Sequence, residues 1–215
     1  MLNNELKKVN EDLIKYIENN IFPEYEKNDK GHRIDHIKTV LKRSFKFAEQ
    51  VENINYDMVY TIASYHDVAH HIDRKNHEKL SAEMLAKDDN LLSFFTKEQI
   101  EIMANAVEDH RASSNSEPRN IYGKIVSTAD RTADINMPLK RTYEYTLTHF
   151  PEMSLEENVE RSYLHIKEKF GEQGYAVDKV YFKDEEYELF LSQIRELTKD
   201  IETFRKEFLR VNKLD

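Results

Sequence analysis

The chain has 215 residues, 32 basic and 41 acidic, a formal net charge of -9, and no cysteine. That length suits one domain with a substantial core. Without Cys there are no disulfides, thiolate zinc sites, iron–sulfur clusters or cysteine nucleophiles, and the acidic balance opposes nonspecific binding to a phosphate backbone. Four Gly and four Pro are too few to turn a sandwich or barrel, whereas 11% aromatic residues are too many for a disordered chain, so the composition predicts an all-α globular protein.

Leu6, Val9, Leu13, Tyr16 and Ile17 recur at three- and four-residue spacing, predicting a first amphipathic helix that stops before Pro23. A polar break follows at residues 27–31. Ile37, Val40, Leu41, Phe45 and Ala48 mark a second helix over about residues 35–51, and apolar positions from Tyr56 to His70 mark a third. His77 to Lys87 reads as a fourth. Thr96 with Gln99 three residues on has the form of a capping box, opening a helix to about His110. After a polar loop at residues 113–118, Ile121 to Ala133 is apolar enough for a buried helix. Pro138 opens another to about Phe150, and Ser154 caps the next, through Phe170.

Tyr187, Phe190, Ile194, Leu197, Ile201, Phe204 and Phe208 alternate spacings of three and four. This predicts one long helix docked along its own domain; the alternative is a short coiled coil that makes a homodimer. No internal repeat, low-complexity tract or linker interrupts the chain, so a single domain over residues 1–215 is expected. Met1 to Lys8 has no apolar core of a signal peptide, and no stretch approaches the length of a membrane span. The expectation is a cytoplasmic protein with no membrane partner.

Nine His are present, and His66, His70, His71 and His77 fall within twelve residues. Neutral imidazole and carboxylate together suit divalent transition metals. His66 and Asp67 end a helix whose preceding residues are small or apolar, and burying both is costly unless one partner satisfies both. A shared metal ion would do so. Metal-competent residues recur at other helix ends: His36 in Gly-His-Arg-Ile-Asp-His, His110 in Glu-Asp-His, and Asp130 in Ala-Asp-Arg.

In this order the residues resemble the HD superfamily of metal-dependent phosphohydrolases, with its His, then His-Asp, then a distant Asp, on His36, His66, Asp67 and Asp130. The likeness is to small stand-alone bacterial members and covers about residues 30–135, leaving C-terminal helices over about 137–211. It implies a compact helical domain, with one metal held by those four residues. His77 and His110 match the additional His of dinuclear members, so the resemblance implies one or two ions of Mn, Fe, Mg, Co or Ni, with Asp67 bridging. It further implies a phosphohydrolase acting through metal-activated water on a small phosphorylated substrate, a nucleotide or other phosphate ester.

Arg131, Arg111, Arg119 and Lys124 are the expected cations for substrate phosphate, with His70 as a further donor or an exposed helix-end residue. Many relatives have Gly-Lys where this chain has Ala69 and His70. His32, four residues before His36, is expected to cap or stack, and His71, His149 and His165 to be solvated. The alternatives are a diiron oxygenase on the same scaffold and a non-catalytic nucleotide-binding module.

Overall fold

The structure is a computed structural model and describes residues 6–28, 32–111, 116–177 and 180–214. Among the described residues are ten α-helices and no strand, as composition and periodicity predict. They are α1 (Glu11–Asn20), α2 (Ile34–Ala48), α3 (Tyr56–Tyr65), α4 (His77–Ala86), α5 (Lys97–Glu108), α6 (Ile121–Ala129), α7 (Asn136–His149), α8 (Leu155–Phe170), α9 (Glu185–Leu197) and α10 (Ile201–Asn212). Short 3₁₀ segments occupy Leu6–Lys8, Phe22–Lys27 and Asp89–Ser93. No helix is long and apolar enough to cross a membrane, among the described residues.

The sequence suggests one domain, whereas the chain groups into two compact units, Met1–Asp130 and Arg131–Asp215. In the first unit α3 is the hub, packing against α1, α2, α4, α5 and α6. Every α3 residue from Met58 to Tyr65 is buried, as an element without a polar face must be. Helix α5 begins with both hydrogen bonds of the predicted capping box between Thr96 and Gln99. Helix α6 lies close against it at Gly123, where a Cβ would come within 2.9 Å of the Pro118 side chain and 3.4 Å of the Ala106 backbone.

Two expected helices end early. Helix α3 stops at Tyr65 instead of His70, and the chain continues in tight turns held by bonds three residues apart: Val68 to Tyr65, His70 to Asp67 and Ile72 to Ala69. Helix α6 stops at Ala129 instead of Ala133. At the N-terminus, Pro23 is the second residue of the Phe22–Lys27 3₁₀ segment, whose Tyr25 is fully buried, so the polar break starts only at Asn28, and residues 29–31 lie outside the described ones.

In the second unit α8 packs against α7, α9 and α10 around a core that includes Leu139, Ile166, Phe170, Phe190, Ile194 and Phe208. The predicted long C-terminal helix is two helices. Thr198 folds its hydroxyl back onto the Ile194 carbonyl, and Asp200 caps α10 by accepting from the Thr203 N–H at 2.7 Å. Of the seam residues, only Ile201, beside the break, is exposed; the others are buried in the unit's own core, which leaves no continuous apolar stripe for a coiled coil. Helix α8 has the predicted Ser154 cap, completed by Glu157.

Candidate metal centre

Six candidate ligands stand at the ends of helices of the first unit. His36 is in the first turn of α2, His66 caps the C-terminus of α3 and Asp67 follows it, His77 opens α4, His110 lies just beyond α5, and Asp130 caps the C-terminus of α6. Helix ends already carry unpaired backbone groups, so side chains there bend toward neighbours without breaking internal bonds.

The six side chains form two groups that share Asp67. Asp67 Oδ2 lies 3.4 Å from His36 Nε2 and 3.4 Å from His66 Nε2, and Asp130 Oδ1 lies 3.2 and 3.8 Å from the same two nitrogens. The other carboxylate oxygen, Asp67 Oδ1, lies 3.1 Å from His77 Nε2 and 3.5 Å from His110 Nε2. Ligand atoms about 2.0–2.2 Å from a common ion are roughly 3–3.5 Å from one another, so these spacings suit a metal.

The imidazole protons give a stricter test of fit. His66 Nδ1 is 2.8 Å from the Ala63 carbonyl, His77 Nδ1 is 3.0 Å from the Arg74 carbonyl, and His110 Nδ1 is 2.6 Å from the Val107 carbonyl. A carbonyl only accepts, so each Nδ1 carries the proton, and in the neutral ring each Nε2 presents a lone pair. His77 Nε2 and His110 Nε2 nevertheless face each other at 3.3 Å, beside a carboxylate oxygen. Two lone pairs and an anion at that spacing require a cation, either a proton or a metal. Donation of the rear nitrogen to a carbonyl is how metal-ligating His are usually oriented.

Burial opposes charge on His36, but the Asp130 and Asp67 carboxylates outweigh it and push its pKa up to about 9. His77 is raised against burial in the same way, chiefly by Asp67. Burial disfavours the anionic forms of Asp67 and Asp130; the surrounding imidazoles overcome it, holding Asp67 well below the carboxylate range and lowering Asp130 too.

Comparison with protein families matches residues 33–134 to the HD domain. Residues 33–134 are an HD domain. Such domains are typically metal-dependent phosphohydrolases. No curated protein and no solved structure matches the chain.

Several residues that build the HD domain's centre carry no motif. The Tyr25 hydroxyl donates to the Ser64 carbonyl at 2.9 Å and accepts from the Asp67 N–H at 3.3 Å. Asn28, 2% exposed, donates to the carbonyls of His32 and Asp67. Buried Arg43 donates to the carbonyls of Ala129 and Thr128, placing a cation at the C-terminus of α6 beside Asp130. A signal for Arg43 was available: it lies seven residues, two helical turns, after His36 on the same helix. Tyr25 and Asn28 had none, since the bonds that tie them to the Asp67 turn reach backbone atoms 39 to 43 residues away.

Of the expected phosphate-binding residues, Arg111 and His70 lie beside the candidate ligand His77, whereas Arg131, Arg119 and Lys124 are engaged elsewhere. Arg131 is buried, donates to the Ala176 carbonyl and lies against Tyr187, all in the second unit, so this guanidinium serves packing there instead of the role expected for it. Arg119 holds Asp109, Glu108 and the Asn105 carbonyl, neutralising itself at the end of α5. Arg111 donates to the Lys75 carbonyl at 2.9 Å and reaches Glu78 at 3.4 Å, residues on either side of His77. Lys124 lies 3.6 Å from Glu117, and residues 112–115 of the polar loop are outside the described ones.

His70 is buried, not an exposed helix end. Its ring stacks on His32 at 4.0 Å and lies 5.1 Å from His77. His149 is exposed as expected, whereas His71 is held by Asn28 and His165 is half-buried.

Proposed function

We propose that the protein is a metal-dependent phosphohydrolase that holds two divalent ions and cleaves a nucleotide or another small phosphate ester. The observation that carries the reading is the Asp67 carboxylate, with one oxygen against the His36–His66 pair and the other against the His77–His110 pair. In this reading His36, His66, Asp67 and Asp130 hold the first ion, and Asp67, His77 and His110 the second. Bound there, divalent ions supply Lewis acidity toward phosphoryl oxygens and toward water at neutral pH.

The chain's own residues set the conditions for that chemistry. The carbonyls of Ala63, Arg74 and Val107 hold three imidazoles with Nε2 directed at the centre, so the ligands need no reorientation when loaded. Asp67 and Asp130 supply only two negative charges, which leaves the ions electrophilic. His66, Asp67 and His110 are almost wholly buried, whereas Asp130 is 26% and His36 15% exposed, so water and substrate approach from the side of these two. His70 is the proposed contact to substrate phosphate; Arg111 would have to leave Glu78 to join it.

The test is inorganic phosphate release from a panel of nucleotides and phosphoesters, with Mn, Mg, Fe, Co and Ni supplied separately and Asp67→Ala as control. Release that disappears in the variant is expected. No release from protein shown to hold metal would overturn the hydrolase; oxygen uptake by an iron-loaded form would indicate an oxygenase, and tight nucleotide binding without turnover a sensor.

A further inference from the structure

Asn28 reaches the centre without touching a ligand side chain. It follows the Phe22–Lys27 segment and is 2% exposed, and its carboxamide makes four hydrogen bonds. Nδ2 donates to the His32 carbonyl at 3.1 Å and to the Asp67 carbonyl at 3.0 Å; Oδ1 accepts from the His71 N–H at 2.9 Å and from His71 Nδ1 at 3.1 Å. Two donors and two acceptor sites are the full capacity of the group. The orientation is fixed by these partners, because a flipped amide would aim its oxygen at two carbonyls and its NH₂ at an N–H.

The position of two of these bonds matters most. In an uninterrupted α-helix the His71 N–H would bond the Asp67 carbonyl, the pair four residues apart. The Asn28 carboxamide occupies both of those groups, taking the carbonyl with its NH₂ and the N–H with its oxygen. Helix α3 has already ended at Tyr65, where the Tyr25 hydroxyl takes the Ser64 carbonyl and the Asp67 N–H, and the chain from His66 to Ile72 runs in tight turns that Asn28 holds at Asp67 and His71. A third bond, to the His32 carbonyl, ties this turn to the start of α2, four residues before His36.

We propose that Asn28 is a positioning residue of the metal centre: by replacing the missing helical bond at Asp67 and fastening that turn to the entry of α2, it sets the bridging carboxylate against both His pairs. This rests on the two-ion reading above. Loss of Asn28 leaves the His32 carbonyl and the His71 N–H without this partner and the Asp67 carbonyl with the His70 N–H alone, so the turn that carries the bridging carboxylate loses its tie to the entry of α2. Partners that orient ligands from behind are worth about 10–100-fold in metal affinity.

The experiment measures Mn²⁺ affinity and stoichiometry by calorimetry, and the visible spectrum of the Co²⁺-loaded protein. The proteins are wild type, Asn28→Ala, Asn28→Ser and, as a destabilised control, Leu13→Ala, which removes a fully buried side chain from α1. Thermal midpoints are recorded for all. The expected result is a loss of about 10–100-fold in Mn²⁺ affinity for the Asn28 variants, with an altered Co²⁺ spectrum, while Leu13→Ala binds Mn²⁺ as wild type does despite its lower midpoint. Should the alanine variant not fold, the smaller change to serine carries the comparison. Wild-type affinity and spectrum in a folded Asn28 variant would overturn the proposal, as would an equal loss in Leu13→Ala. A wild-type protein that binds no Mn²⁺ or Co²⁺ would instead overturn the metal-centre reading beneath it.

Discussion

At the scale of single residues, Asp67 is the member of the centre that cannot be divided, because each of its oxygens serves a different pair of imidazoles. Ligand substitutions should therefore sort into three outcomes. Asp67→Ala should remove both ions, Asp130→Ala should weaken mainly the first, and His110→Ala should remove the second and leave the first. Metal analysis after dialysis against trace Mn²⁺ reads this directly; equal loss from all three variants would contradict the two-group arrangement. His36 makes a prediction that differs with and without metal. In the metal-free chain its folded pKa is about 9 against about 6.5 unfolded, so its contribution is complete below pH 6.5 and is lost as pH rises through 9. Asp67 and Asp130 are depressed and already ionised in that window, so they add no slope. The melting temperature in chelator should fall from pH 6.5 to 9. With Mn²⁺ it should fall less or rise, because the ion competes with the His36 proton and binds more tightly as pH increases.

At the scale of elements, the helices of the first unit do their chemical work at their ends. Arg43 joins two of them, running from α2 to the last carbonyls of α6. Arg43→Met keeps the apolar stem but removes the charge and its hydrogen bonds, and should cost about 1–3 kcal/mol in urea denaturation while weakening metal binding through Asp130. Thr96→Ala should cost about 1 kcal/mol and leave metal affinity unchanged, because it caps the end of α5 remote from His110. The two caps also show what the sequence could reveal. Thr96 and Ser154 were readable because a capping box is written within four residues. Asp200, which splits the C-terminal segment, looks like any surface Asp within a regular apolar repeat, and what distinguishes it is that it accepts from the Thr203 N–H and hydroxyl. The candidate ligands could be picked out because residue type and order mark them, and the structure groups them around Asp67. Asn28 and Tyr25 were not, because what they recognise is the backbone of a distant turn, and a backbone has no sequence. Arg131 was misread because its neighbour Asp130 suggested a destination that packing in the second unit overrode.

At the scale of the whole molecule, an acidic chain carrying a net charge of -9 attracts divalent cations and repels free anions at long range. Ions at 100 times their dissociation constant would stabilise the fold by about 2.7 kcal/mol, so chelation should lower the melting temperature measurably. The graded exposure of the ligands adds a constraint on traffic. Asp130 and His36 are part-exposed while His66, Asp67 and His110 are not, so in the proposed two-ion reading ions would leave on the side from which a phosphate enters. A phosphate seated there would act as a stopper. Stripping by a chelator should therefore slow several-fold when millimolar inorganic phosphate is present, and the enzyme in use would keep its metals longer than the enzyme at rest.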